Sequence, residues 1–130
     1  MKKRILFLDD DRYDMQGYID KLRMEGFDVA SFVEPKDAIA FLQGNPAVDL
    51  AIVDLIMRFS PEESVDDTHL AGVQFSKTLR ELLGTKMPII ILTVVTDPEI
   101  LTRARLYANL VLNKPVPPSE LVKYVKESLK

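Results

Sequence analysis

Apolar residues in this chain follow two alternating rhythms. Unbroken runs such as Ile5 to Leu8, Leu50 to Val53, Ile89 to Leu92 and Leu110 to Leu112 have the length and content of strands buried on both faces. Between them, apolar residues recur every three or four positions, as on one face of a helix. Met15, Tyr18, Ile19 and Leu22 mark a first helix that Gly26 is placed to end, and Phe27 to Phe32 reads as the second strand. Pro35 suits the first turn of a second helix with Ala38, Phe41 and Leu42 on its apolar face and Gly44, Asn45 and Pro46 as its stop. The third strand spans Val48 to Val53, and a third helix carries Phe75, Leu79 and Leu82 before ending near Gly84. Pro88 introduces the fourth strand. Asp97, Pro98 and Glu99 are an N-cap, a first-turn proline and an acid in order, opening a fourth helix through about Tyr107. After the short fifth strand, Leu121, Val122, Val125 and Leu129 mark the last helix.

Strand and helix in strict alternation predict one α/β domain over residues 1–130, a parallel five-stranded sheet covered by helices on both faces through right-handed crossovers. One connection is long: Leu55 to His69, containing Pro61, Glu62, Glu63, Asp66 and Asp67, follows Asp54 directly and is expected to be an irregular loop over or beside the ligand edge.

Polar residues at the ends of the runs carry the candidate chemistry. Asp9, Asp10 and Asp11 follow the first run, Asp54 the third, Thr93 the fourth, and Lys114 stands after Leu110, Val111, Leu112 and Asn113. Carboxyl ends of parallel strands converge on one edge, where ligands bind. Crowded acids repel one another, so a cluster there points to a bound cation such as Mg2+, which takes oxygen ligands. A helix cap accounts for Asp11, and extends at most to Asp10, but it does not account for three acids.

Composition narrows the function further. The chain has 130 residues, 47% of them hydrophobic, enough for a proper core. No apolar stretch approaches the roughly 18 residues of a membrane span, and Met1, Lys2, Lys3 and Arg4 lead into a strand-length run rather than a signal-peptide core. A soluble, cytoplasmic protein without a membrane partner is the expectation. Absence of cysteine excludes a disulfide scaffold and thiolate chemistry, and a net charge of -3 without a basic stripe argues against direct nucleic-acid binding.

The ordered set resembles the receiver domains of two-component response regulators, those of the chemotaxis-regulator type among them. The features that carry it are the acids after the first strand, Asp54 followed by Met57, Pro88 before a strand ending in Thr93, and Lys114 with Pro115. The resemblance implies a flavodoxin-like doubly wound sheet of strand order 2-1-3-4-5. It implies Asp54 as phosphoacceptor, Asp10 as a direct Mg2+ ligand, Asp9 as a ligand through water, and the Ile56 backbone carbonyl as a further ligand. Thr93 would be the switch hydroxyl, Lys114 the lysine at the phosphoryl group, and Lys114–Pro115 a cis peptide. Ile56 and Val95 would flank the path of attacking water; both are apolar, which favours slow self-dephosphorylation. Partners would be a sensor histidine kinase or histidine phosphotransfer protein and a downstream protein target. The domain would catalyse only its own phosphorylation and dephosphorylation, as a stand-alone relay member or part of a longer chain.

The chain departs from the family pattern at Arg58, where proline is usual, in about ten extra residues before Gly72, at Val111 in place of an aromatic switch residue, and at Tyr107 in place of a glycine. His69, the only histidine, falls in the expected loop and is not placed to carry a phosphoryl group. Two other readings stand beside the receiver. One is a pseudo-receiver that binds partners without phosphorylation. In the other, Asp9 and Asp11 are similar to the nucleophile motif of haloacid-dehalogenase-type phosphohydrolases, although Arg12 and Tyr13 stand where that family has a small residue and threonine.

Overall fold

The computed structural model describes the backbone of residues 2–56 and 65–130, and the side chains of these except 65–70. Ten elements alternate as expected: β1 (Arg4–Leu8), α1 (Arg12–Met24), β2 (Asp28–Phe32), α2 (Pro35–Gln43), β3 (Leu50–Val53), α3 (Val65–Leu83), β4 (Ile89–Thr93), α4 (Pro98–Arg105), β5 (Leu110–Asn113) and α5 (Pro118–Ser128). The strands form one parallel sheet in the order β2-β1-β3-β4-β5.

Both faces of the sheet are buried, which is why its central strands read as unbroken apolar runs rather than alternating ones. Successive side chains point to opposite faces. Leu6, Leu8, Ala51, Val53, Ile89 and Ile91 join Ala38, Leu42, Val73, Phe75, Leu79, Leu101 and Ala104 in one core layer, under α2, α3 and α4. Ile5, Phe7, Leu50, Ile52, Ile90 and Leu92 join Met15, Tyr18, Ile19, Leu22, Leu121, Val122 and Val125 in the other, under α1 and α5. Each fully buried Leu, Ile or Phe contributes about 1.5–3 kcal/mol relative to exposure.

Local signals set the element ends. Asp11 caps α1 by accepting from the Tyr13 and Asp14 amides, and Asp97 caps α4 through Glu99 and Ile100. Gly26, at φ +95°, reverses the chain after α1, while the Phe27 amide returns to the Leu22 carbonyl. Phe27 is therefore part of the helix stop, and β2 starts one residue later than expected. Likewise β3 begins at Leu50 rather than Val48, because the Asp49 side chain takes the Arg4 amide at 2.8 Å where a strand carbonyl would otherwise serve.

Two expectations on α3 are corrected. Its backbone is helical from Val65, so 65–69 is not irregular loop, and His69 lies in the helix. Acidic residues are common both in loops and near helix starts, so composition alone does not separate the two. Residues 57–64 of the expected loop, with Met57, Arg58, Pro61, Glu62 and Glu63, lie outside the described residues, while Leu55 is fully buried in the core and Ile56 is partly buried. Leu82, expected in the core, is 48% exposed, because Leu83, four residues beyond Leu79, takes the inward position instead.

Candidate functional site

Strand register brings the site together. Leu8 pairs with Val53, Val53 with Ile91, and Thr93 with Asn113, so the residues that follow emerge side by side at the carboxyl edge. The Asp54 amide donates to the Leu8 carbonyl at 3.0 Å, and the Lys114 amide to the Thr93 carbonyl at 2.8 Å. Asp9, Asp10, Asp54 and Lys114 line one open depression, with Asp14, Ile56, Val94 and Pro115 on its walls.

Buried charge dominates its electrostatics. Asp9 and Asp54 are 1% and 6% exposed, and a carboxylate so placed needs donors. Asp9 accepts from the Asp11 amide through Oδ1 at 2.9 Å, and Asp54 from the Ile56 amide through Oδ1 at 3.2 Å. The other oxygens converge on the Lys114 ammonium, whose Nζ stands 2.9 Å from Asp9 Oδ2, 3.2 Å from Asp54 Oδ2 and 2.5 Å from Asp14 Oδ2. An ammonium has three N–H donors, and each finds a carboxylate.

One cation is thus divided among three carboxylates. Burial pushes Asp9 up to about 6; the Asp11 amide and Lys114 pull it down, and the Asp54 charge adds to the rise. For Lys114 burial works against the charged form, but Asp54, Asp14 and Asp9 outweigh it and raise its pKa above the ordinary lysine value. Lysine is thus held as a cation while Asp9 is held against its preference as an anion. Extra positive charge is what the site lacks.

Asp9, Asp10 and Asp54 each offer a carboxylate oxygen within 4.8 Å of the others. An all-oxygen anionic set of this spacing fits a hard divalent cation such as Mg2+. Of the expected ligand set, these three are brought together, and Ile56 sits on the wall of the same depression. Asp11 serves as the α1 cap.

Thr93 is fully buried, its Oγ1 accepting from the Val95 amide at 3.2 Å. Val95 belongs to the core layer and its carbonyl is held by Asn113 Nδ2 at 2.7 Å, whereas Val94 is 56% exposed and lines the depression. The Lys114–Pro115 peptide is cis, as expected. Val111 packs at the margin of the core under α4.

Three contributors are not visible in the sequence pattern. Asp14 stands at the lysine; its only sequence signal is a place one turn into α1, three residues past the cap. Tyr18, four residues on, donates from its hydroxyl to the Val116 carbonyl at 2.7 Å and tethers the segment after the cis bond. Gly72 of α3 packs so tightly on the acceptor strand that a Cβ there would lie 2.3 Å from the Asp54 carbonyl oxygen and 2.4 Å from the Leu55 Cα.

Comparison with known proteins identifies the family. Residues 5–126 match the family model described as the response regulator receiver domain. No curated protein matches the chain. Among solved structures, a CheY-like receiver domain protein from Methanospirillum hungatei is 25% identical, with a TM-score of 0.82 over 99% of this chain and 94% of that one. Chemotaxis protein CheY4 of Vibrio cholerae is 27% identical with a TM-score of 0.82, covering 99% of this chain and 100% of its own. A response regulator described as putative, from Chloroflexus aurantiacus, is 27% identical with a TM-score of 0.80, covering 99% and 98%.

Proposed function

The chain belongs to the response regulator receiver domain family, signalling modules of two-component systems, and from that premise we propose that it is a phosphorylation switch whose acceptor is Asp54. The observation that carries this reading is the convergence of Lys114 Nζ on Asp54 and Asp9 beside the Asp9, Asp10 and Asp54 oxygen cluster.

Receiver domains normally use Mg2+ at an acidic pocket. Here Asp10 and Asp54 would hold it directly, Asp9 through water, and the Ile56 carbonyl would complete the protein set. When bound, the ion neutralises charge on the transferring oxygens. An Asp54 carboxylate oxygen attacks phosphorus, the P–N bond of a partner's phosphohistidine breaks, and imidazole leaves with the electron pair and takes up a proton. Lys114 exchanges its bond to Asp54 Oδ2 for one to a phosphoryl oxygen, which stabilises the charge without new desolvation because the ammonium is already buried.

The Thr93 hydroxyl would turn from the Val95 amide toward the phosphoryl group. That movement biases the face of α4, β5 and α5 by contacting its two states differently, without a rotating aromatic, since Val111 has no ring. Ile56, on the wall of the depression, has a side chain that cannot orient water; Val95, expected to do the same, is turned into the core layer and leaves Val94, equally apolar, at the depression. Self-dephosphorylation should accordingly be slow, suited to a relay or sustained signal.

The donor would be a sensor histidine kinase or histidine phosphotransfer protein, the receiver of the signal a downstream protein, and the setting the cytoplasm. No helix among the described residues is long and apolar enough to cross a membrane. Intact-mass analysis after acetyl phosphate and Mg2+ tests the reading. One phosphoryl group is expected on wild type and none on Asp54→Asn; label retained in that variant and mapped to Asp9 would favour the phosphohydrolase chemistry instead.

A further inference from the structure

Among the three carboxylates on Lys114, the nearest is not the acceptor. Asp14 Oδ2 lies 2.5 Å from Nζ, against 2.9 Å for Asp9 and 3.2 Å for Asp54. Asp14 belongs to α1, and its side chain is 38% exposed where the lysine's is 10% exposed. It therefore binds the ammonium from the more exposed side, while the buried Asp9 and Asp54 bind it from below. Tyr18, one turn further along the same helix face, fixes the Val116 carbonyl. Side chains at i and i+4 on α1 thus grip the two sides of one short segment, Lys114 to Val116, and the segment cannot drift relative to the helix.

We propose that Asp14 is a positioning residue that restrains Lys114 in the unphosphorylated protein and sets a threshold for phosphoryl uptake. This rests on the reading of Asp54 as acceptor. Two effects act in the same direction. Asp14 holds the lysine's charge that an arriving phosphoryl group needs, and its own negative charge on the wall of the depression repels the dianionic group. Asp9 and Asp54 also bind the cation, but they are buried beneath it and are needed for the site itself, so Asp14 is the carboxylate that can be removed without dismantling the site. Asp14 is also chemically separable from the fold: its amide, not its carboxylate, makes the α1 cap contact with Asp11.

The test compares wild type, Asp14→Asn and Asp14→Ala by titration with beryllium fluoride and Mg2+. Both variants should half-saturate at roughly two- to fivefold lower beryllium fluoride, a size set by the partial exposure of Asp14, and the gain should shrink as salt is raised. An anchoring role alone predicts the opposite, weaker binding in Asp14→Ala with no salt dependence. Equal or weaker binding in both variants overturns the proposal. An independent measurement separates it from the acceptor assignment. The Lys114 ammonium, with all three donors engaged, should give a protected 15N NMR signal in the unmodified protein, and that signal should shift in Asp14→Asn and exchange faster in Asp14→Ala. A signal unmoved in both variants refutes the restraint whatever the acceptor is. Wild type that takes up no beryllium fluoride, with the ammonium signal behaving as expected, counts against Asp54 as acceptor and confines the inference to the restraint.

Discussion

At the amino-terminal edge of the sheet one guanidinium serves four oxygen acceptors, whereas at the carboxyl-terminal edge one ammonium serves three carboxylates. Arg80, near the end of α3, donates to the carbonyls of Tyr107, Gly84 and Met87 and to Asn109 Oδ1. Asn109 Oδ1 also takes the Ile89 amide, and the Asn109 amide returns to the Ile89 carbonyl. The clamp ties the starts of β4 and β5 to the end of α3, with neutral acceptors around a single charge. Lys114 instead sits among buried carboxylates, and Asp9 has a raised pKa, chiefly from its burial and in smaller part from the Asp54 charge. The same residue chemistry, a cation among oxygens, fastens the fold at one edge and stores repulsion at the other. Neutral dipoles satisfy a charge without opposing each other; carboxylates need a further cation.

The largest way to test that contrast is to remove the guanidinium. Arg80→Ala leaves the Tyr107, Gly84 and Met87 carbonyls without this donor at a partly buried junction, while Asn109 Oδ1 keeps the Ile89 amide, and a network of this kind costs about 2–4 kcal/mol when broken. Urea unfolding should show that loss, while labelling of Asp54 in the folded fraction persists. A variant as stable as wild type would mean that solvent replaces Arg80 readily, and the amino edge would lose its claim to be the fastening one.

Gly72 sits where the contrast is sharpest, because there the rigid scaffold touches the acceptor. Its amide donates to the Leu55 carbonyl at 3.2 Å, and the added methyl of Gly72→Ala would overlap the Asp54 and Leu55 backbone. Either α3 moves outward or the acceptor loop is displaced, and overpacking of this sort costs about 1–3 kcal/mol. Stability and the rate of Asp54 labelling should fall together, unlike in Arg80→Ala. Loss of stability with an unchanged labelling rate would show that α3 gives way and the acceptor does not.

How much of each edge the sequence reveals follows from the same physics. The site residues Asp9, Asp10, Asp54, Thr93 and Lys114 are legible because each ends an apolar run, and parallel pairing guarantees that such ends meet. Strand identity is legible because both faces are buried. The Asp97 cap is legible because its signal is local. Asp14 and Arg80 are not, for their partners lie 100 and 27 residues away and neither residue type is unusual on a helix surface. Leu82 misleads because periodicity fixes a helical face only to within one position, and packing chose Leu83. The helical backbone at 65–69 is not legible because an acid-rich stretch suits a loop and a helix equally well by composition.

The smallest expected effect probes the buried Asp9 carboxylate directly. Asp9 has a folded-state pKa of about 6 against an ordinary 3.8, so between these values the folded protein binds a proton that the unfolded chain does not. Stability from this group is fully present below about 3.8 and is lost as pH rises through about 6. Without divalent cation, lowering pH from 7 to 5 should therefore stabilise the protein by about 1 kcal/mol, after allowance for the other titrating groups. Lys114, raised above the ordinary lysine value, stays charged throughout this window and does not reverse the sign. Saturating Mg2+ should flatten or invert the slope, since a cation that supplies the missing charge competes with the proton for the same carboxylates. Asp9→Asn should remove the slope in metal-free buffer, because an amide neither titrates nor repels Asp54. If urea unfolding of the variant and of wild type traced the same pH profile, the pH dependence would not come from Asp9, and the contrast between the two edges would lose its electrostatic ground.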